Sequence, residues 1–320
     1  MLDFEKHIED MEKRLDELKR LSAGSKEDLS LEIDELERQL AEHKTKVYSQ
    51  LTPWQRVQIA RHPDRPQTRD FIEMIFHDFI ELHGDRLYGD DAAIVGGPAF
   101  LDGRAVMVIG QHKGHTTRER VTCNFGSPHP EGYRKALRLM KLAEKFNLPV
   151  ITFIDTQGAY PGVGAEERGQ AWAIADNLMR MSQLRVPIVA VNIAEGGSGG
   201  ALALGVADRL LMLENAWYSV ISPEGCASIL YKDAAKAPEA AESLKMTADA
   251  LYKNGIVDEV VPEPVGGAHR APNATAENLH AALNRALEEI SASPVGTMLD
   301  LRYAKLRAIG AFEEPQPTPQ

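Results

Sequence analysis

Only two cysteines, Cys123 and Cys226, occur in 320 residues, far apart and with no CxxC. That excludes a thiol-rich zinc site and argues against a disulfide framework, so a reduced, buried pair is expected. Excess positive charge is missing too. The net charge is −11, which disfavours attraction to phosphate over the whole surface and, with it, general nucleic-acid binding. No stretch reaches the roughly 18 uninterrupted apolar residues of a membrane helix. Residues 1–18, MLDFEKHIEDMEKRLDEL, are charged throughout and lack the apolar core of a signal peptide. A cytoplasmic chain without membrane association is the expectation. The phosphate-loop signature GxxxxGK(S/T) is absent, and neither glycine cluster of the chain has GxGxxG spacing.

What is present, 43% hydrophobic and 26% charged residues, suits one large globular domain plus an appendage. Phe4, Ile8, Met11, Leu15 and Leu18 repeat at 4-3-4-3 spacing, which places them on one stripe of a helix. Ser22–Ser25 breaks the pattern, and Leu29, Ile33, Leu36, Leu40, Val47 and Leu51 resume it. The spacing predicts an antiparallel helical hairpin over 1–51 that packs on the rest of the chain or on a partner. A main domain follows over 52–295. The segment 296–320 closes the chain, its last eight residues, EEPQPTPQ, reading as disordered.

Within the main domain a linker-like HPDRPQ (62–67) precedes a helical stretch over Thr68–Leu82. Short β-rich runs then alternate with amphipathic segments. The runs are Ala105–Gly110, Val150–Asp155, Ile188–Ile193, Arg209–Leu213, Tyr218–Ile221 and Ile256–Val261. Helices are predicted over Gly132–Lys145, Gly169–Ser182, Ala201–Asp208 and 276–291. The alternation indicates an α/β layered domain.

One strand–loop–helix unit occurs twice. VITFID runs into Thr156–Ala165 (TQGAYPGVGA), and IVAVNI runs into Ala194–Gly200 (AEGGSGG). Glycine at the carboxyl end of a strand lets the backbone approach a ligand and turn its N–H groups outward. A helix start behind it adds partial positive charge. The amides of Gly199 and Gly200 are the candidate pair for one oxygen that gains charge during reaction. Gly158, Ala159, Tyr160, Pro161, Gly162, Val163, Gly164, Gly196, Gly197 and Ser198 are the candidate substrate-binding residues around them. A tight turn with close helix packing is the plainer alternative. Gly196–Gly200 also satisfies GxSxG, the nucleophile elbow, with Asp258 and then His269 or His280 downstream in hydrolase order. A serine hydrolase using Ser198 therefore remains open at this level.

Longer strings narrow the choice. DTQGAYPGVGAEERGQ (155–170), EGGSGGALALG (195–205), SPEGCASIL (222–230) and EGYRKALRLMKLAEKF (131–146) resemble the alpha subunit of bacterial acetyl-CoA carboxylase carboxyltransferase. So do ARHPDRPQTRD (60–70), GDRLYGDDAAIVGG (84–97) and PEPVGGAHR (262–270), and the likeness covers about residues 45–310. The resemblance implies a crotonase-type fold of repeated ββα units. It implies transfer of a carboxyl group from biotin, held on a separate carrier protein, to acetyl-CoA, giving malonyl-CoA, the first committed step of fatty acid synthesis. Another short acyl-CoA is the alternative acceptor. A beta subunit of the same fold would complete the active site in an α2β2 assembly served by biotin carboxylase and the biotin carboxyl carrier protein; ATP enters only at the level of that complex. In the family the amides matching Gly199 and Gly200 form one oxyanion hole and the beta subunit supplies the other. The family mechanism makes no side-chain base obligatory. Gln157 departs from the proline that the family often has there, which leaves a less pre-set turn.

Three further features carry alternatives. Segment 111–145 has eight cationic side chains against three acidic ones, and Lys113, Arg134 and Lys135 are candidate contacts to coenzyme A phosphates or a partner, against the alternative of a solvated helix face. His112 and His115 form an HxxH with no third ligand nearby, so no metal is expected. Cys226 reads as a packed thiol, since no base neighbours it in sequence.

Overall fold

The computed structural model describes residues 2–24 and 29–310, so Ser25 and the expected disordered tail lie outside it. Helices α1 (Lys6–Gly24) and α2 (Ser30–Tyr48) form the expected hairpin. Ion pairs Glu12–Lys44 and Lys19–Glu37, both 2.6 Å, join residues in reversed order and so make the pair antiparallel. The apolar stripes meet through Ile8, Leu15, Leu40 and Tyr48, with Ile59 of the main domain in the same cluster. Glu5 accepts from both Tyr48 and Arg270, and Arg270 reaches Glu12 at 3.0 Å. Those bonds fasten the hairpin to the main domain.

Helix α3 (Pro53–Ala60) opens on a capping box made by Thr52 and Gln55. The segment HPDRPQ after it is no linker. Arg65 is 2% exposed and makes two bonds to the Ile193 carbonyl and two to the Glu263 carboxylate. Helix α4 (Thr68–Ile75) is shorter than the expected Thr68–Leu82. From Phe76 the chain straightens and runs along the edge of the sheet, Ile80 N–H donating to the Pro98 carbonyl and Leu82 N–H to the Gly96 carbonyl. An unpaired strand edge is a stronger claim on this segment than helical spacing.

The sheet holds β1 (Ile94–Leu101), β2 (Arg104–Gln111), β3 (Val150–Thr156), β4 (Ile188–Gly197), β5 (Arg209–Leu213), β6 (Trp217–Ser219) and β7 (Glu259–Val261). Its order is β1-β2-β3-β4-β5-β7, with β6 paired to β4. β1 and β2 are antiparallel across Asp102-Gly103, both at positive φ as a two-residue hairpin turn needs; the other pairings are parallel. Every residue of β3 and β4 is buried, as befits parallel strands covered on both faces. β4 serves two sets of neighbours. Its first half pairs β3 and β5, while Glu195–Gly197 pair β6.

The connections are helical: α5 (Thr117–Thr122) and α6 (Pro130–Lys145) after β2, α7 (Val163–Glu167) and α8 (Gln170–Gln183) after β3, and α9 (Ser198–Leu202) after β4. Helix α9 begins earlier than the expected Ala201–Asp208 and ends sooner, the chain tightening after Leu202 into turns in which Leu204 N–H donates to the Ala201 carbonyl and Gly205 N–H to the Leu202 carbonyl. Between β6 and β7 lie α10 (Pro223–Leu230), α11 (Ala237–Leu244) and α12 (Ala248–Lys253); α13 (Pro272–Ser291) and α14 (Val295–Ala308) follow β7. In α14 the buried Arg302 holds both Asp208 oxygens at 2.7 Å. Among the described residues no helix is long and apolar enough to cross a membrane.

Burial works against the Glu263 charge, but Arg65 beside it outweighs burial and holds the carboxyl at about 2, below its ordinary 4.5. Stability from this pair is complete above about pH 4.5 and is lost as pH falls toward 2. A depression of that size corresponds to about 3 kcal/mol. Glu263→Gln is expected to lower the unfolding free energy by about that amount at neutral pH in urea titrations. The gap to the parent should narrow as the titrations are repeated below pH 4.5.

Candidate active site

β3 and β4 are neighbours, and Thr156 pairs with Gly196, so the two glycine loops leave the sheet side by side. Glycine is what lets them touch. A Cβ at Gly197 would lie 2.1 Å from the Gln157 carbonyl oxygen, and one at Gly200 would lie 2.5 Å from Ala159 N and 2.7 Å from Gly158 C. At Gly196 the obstacle is the Tyr218 ring, 2.1 Å away. Gly199 differs. Its nearest neighbours would be Ile174 methyls at 3.8 Å, an ordinary contact, so packing does not require glycine there.

The first loop is braced from several sides. Thr156 Oγ1 accepts from Gly158 N–H at 3.0 Å and donates to the Gly158 carbonyl at 2.9 Å. Gly158 has φ +149°, a conformation that side chains resist. Ala159 packs with Ile174 against Tyr133 and Ala203. Tyr160 stacks on His129 with centroids 4.1 Å apart and donates its N–H to the Pro128 carbonyl. Gly162 lies so near the Tyr160 ring that a Cβ would sit 2.4 Å from it. Beyond it Val163 and Gly164 open α7, and Pro161 and Val163 face solvent.

In the second loop, Gly199 and Gly200 stand in the first turn of α9. As the second and third residues of α9, behind the N-cap Gly197, they precede the point at which the helix supplies its own acceptors, and no side chain caps their N–H groups. Beside them runs a groove of about 440 Å³ lined by Ser198, Gly199, Leu202, Tyr218, Val220 and Leu251. A helix start at Gly199 on a mostly apolar wall, with Gly200 directly behind it, suits one polar oxygen on a flat, otherwise apolar group.

Charge sits below the loops rather than in the groove. Lys113 Nζ bridges Asp155, at the end of β3, at 2.5 Å and Glu195, in β4, at 2.6 Å. Arg61 joins Glu195 at 2.7 Å to Glu224 at 2.5 Å. Burial opposes the Glu195 charge, but Lys113 and Arg61 outweigh it and hold that carboxyl below the usual range. Burial likewise opposes the Lys113 charge, and the two carboxylates still hold its ammonium above the ordinary lysine value. Arg61, Arg65, Gln157 and this Lys113–Asp155–Glu195 cluster line a smaller cavity of about 170 Å³. Asp155 and Glu195 do not stand out in sequence, although an acid closing an otherwise apolar strand run is the available signal.

The cations expected to meet coenzyme A or a partner are engaged within the chain. Lys135 is fully buried, donating to the Ile94 carbonyl at 2.7 Å and pairing with Asp90 at 2.8 Å, so it is neither a surface contact nor part of a solvated face. Arg134 pairs with Asp85 at 2.8 Å, and Lys113 belongs to the cluster above. The hydrolase alternative is not assembled either. Ser198 has the positive φ of an elbow, +52°. Asp258, however, accepts from Leu210 N–H and Lys305. His280 pairs with Asp102 at 2.8 Å, and His269 stacks on His62 beside Glu5. Among the described residues no histidine contacts Ser198. His115 pairs with Asp70, and His112 is buried.

Comparison with known proteins agrees with this geometry. The family model for acetyl co-enzyme A carboxylase carboxyltransferase-like proteins matches residues 1–310. An acetyl-coenzyme A carboxylase carboxyl transferase subunit alpha of Thermus thermophilus is 56% identical over 98% of this chain and 99% of its own length. Its counterpart in Methylococcus capsulatus is 55% identical over 98% of both chains. Among solved structures, transcarboxylase 12S with methylmalonyl-coenzyme A bound superposes with a TM-score of 0.54 at 22% identity, over 68% of this chain and 42% of that one. A Pseudomonas malonate decarboxylase hetero-tetramer in complex with coenzyme A gives 0.55 at 19% identity, over 69% and 90%. The α/β fold is thus the crotonase type that the motifs implied, and the chain belongs to the acetyl-coenzyme A carboxylase carboxyltransferase family, on the side of its alpha subunits.

Proposed function

We propose that the chain is the alpha half of a carboxyltransferase that moves a carboxyl group from biotin on a separate carrier protein to acetyl-CoA, giving malonyl-CoA in the cytoplasm. The observation that carries the reading is Gly199. Gly197 and Gly200 are glycine because the two loops would otherwise collide, whereas nothing crowds position 199, which lines the groove in the first turn of α9. The amides of Gly199 and Gly200 hold an oxygen that gains negative charge during the transfer. One such donor is typically worth about 2.7–4 kcal/mol to a reaction barrier. Biotin fits the groove on chemical grounds, since it joins an apolar bicyclic body to one carbonyl oxygen between two N–H groups. When bound, it supplies the carboxyl group in transferable form. The chain's own part is to seat the ring against Leu202, Tyr218 and Val220 and to aim the two donors.

Acetyl-CoA needs a second set of donors for its thioester oxygen. A beta subunit supplies them in this reading, in an α2β2 assembly that works with biotin carboxylase and the biotin carboxyl carrier protein. Exposed apolar side chains at the groove support a partner there. On its wall Val220 is 81% exposed and Leu202 41%. Side chains of that size rarely stay in water when a partner is available.

The chain assayed alone is expected to form no malonyl-CoA, and mixing with the beta subunit to restore turnover; activity of the isolated chain would contradict the proposal. In the reconstituted enzyme, Gly199→Leu is expected to lower kcat by roughly 10²–10³-fold. Its melting temperature and co-purification with the partner should match the parent, since a Cβ there meets only Ile174 methyls at 3.8 Å. Turnover close to the parent would remove the oxygen site. Gly200→Ala serves as the contrasting variant: its Cβ meets Ala159 N at 2.5 Å, so a fall in melting temperature accompanies any loss of rate.

A further inference from the structure

We infer that Gln111 is a positioning residue for the Gly199–Gly200 oxygen site, acting through the Gly200 carbonyl. The inference rests on the reading of that site given above. Gln111 is the last residue of β2 and is fully buried. Its Nε2 donates to the Gly200 carbonyl at 2.7 Å, and its Oε1 accepts from Asp155 N–H at 3.0 Å. The amide can face only one way, because a carbonyl only accepts and a backbone N–H only donates. Its own backbone is held in turn by Thr68 Oγ1, which donates to the Gln111 carbonyl.

The bond to Gly200 fills a gap that the short helix leaves. In α9 the Gly199 carbonyl receives Ala203 N–H and the Ala201 carbonyl receives Leu204 N–H. The Gly200 carbonyl receives the Gln111 side chain instead. Glycine is the residue with most backbone freedom, and two in succession leave the peptide between them free to rotate. The Gly200 N–H shares its plane with the Gly199 carbonyl, which Ala203 N–H holds, and Gln111 holds the next plane through the Gly200 carbonyl, so both peptides that meet at the Gly200 Cα are fixed and the N–H is aimed. The bond to Asp155 N–H sets the first loop's strand in the same frame, at the point where the β3–β4 register shifts. One side-chain amide therefore references both loops to β2.

The role needs a donor and an acceptor in one neutral group, and the test uses that requirement. Gln111→Met keeps the length and apolar volume but removes both bonds. Gln111→Glu keeps the acceptor for Asp155 N–H, yet sets a carboxylate against the Gly200 carbonyl unless it is protonated. In the enzyme reconstituted with its beta subunit, Gln111→Met is expected to lower kcat about tenfold or more, with KM for acetyl-CoA within about twofold of the parent. Gln111→Glu is expected to recover, relative to the parent, as pH is lowered from about 8 to about 6, because protonation returns the donor. Lys113, Asp155, Glu195 and His112 are present in both proteins, so the ratio to the parent cancels their titration. A kcat for Gln111→Met within about twofold of the parent would overturn the inference. So would a Gln111→Glu profile that parallels the parent, which decides the matter if the Met variant does not fold. Gly199→Leu in the same assay separates the causes. If it abolishes transfer while both Gln111 variants are near normal, only the positioning role fails; if it too is near normal, the oxygen site itself fails.

Discussion

Close approach of two backbone loops is the constraint on which the active region depends. The Gln157 carbonyl oxygen occupies the space that a side chain at Gly197 would need, and Gly158 and Ala159 occupy the space beside Gly200. Contact of this kind tolerates no Cβ, so the absence of side chains lets the loops close on each other beyond the pairing of Thr156 with Gly196 and the bond from Glu195 N–H to Asp155. The lock leaves one position unneeded for packing. Gly199 faces the groove, where a flat group can come within hydrogen-bonding distance of the backbone.

Around that contact the charged groups form a frame rather than a binding surface. Lys113 ties the ends of β3 and β4 through Asp155 and Glu195, and Arg61 carries the tie to Glu224 in α10. Arg65 does the same one layer back through Glu263 and the Ile193 carbonyl. Buried ion pairs contribute little net stability when compared with apolar packing, but removing one partner is strongly destabilising. Their effect here is geometric, since they hold strand ends at which the backbone turns sharply. The groove itself keeps few charges, which raises the worth of the two amide donors.

Much of this is legible in the residues, and the failures have physical causes. β3, β5 and the first half of β4 follow from apolar runs bounded by proline, aspartate or glycine, and the hairpin from its stripe spacing. β1 escapes the pattern because IVGGPAFL contains two glycines and a proline, although Asp102-Gly103 signals a hairpin turn. The Thr68–Leu82 helix is overextended because Phe76 and Phe79 continue an apolar spacing that serves the sheet edge instead. Within the glycine loops, spacing cannot separate glycines needed for packing from the one left open; only distances to Gln157, Ala159 and Tyr218 do that. Lys135 is misplaced for a similar reason. A lysine in a basic helix looks solvated until the carbonyls that receive it are in view.

The central claim is that backbone N–H groups at Gly199 and Gly200 hold a charged oxygen, and replacing one N–H without adding a side chain tests it most directly. Glycolic acid incorporated at position 199 turns the amide into an ester, removing the donor and leaving the contours of the groove intact. The account predicts a fall in kcat of roughly 10²–10³-fold in the enzyme reconstituted with its beta subunit. Turnover equal to that of the all-amide protein would contradict it.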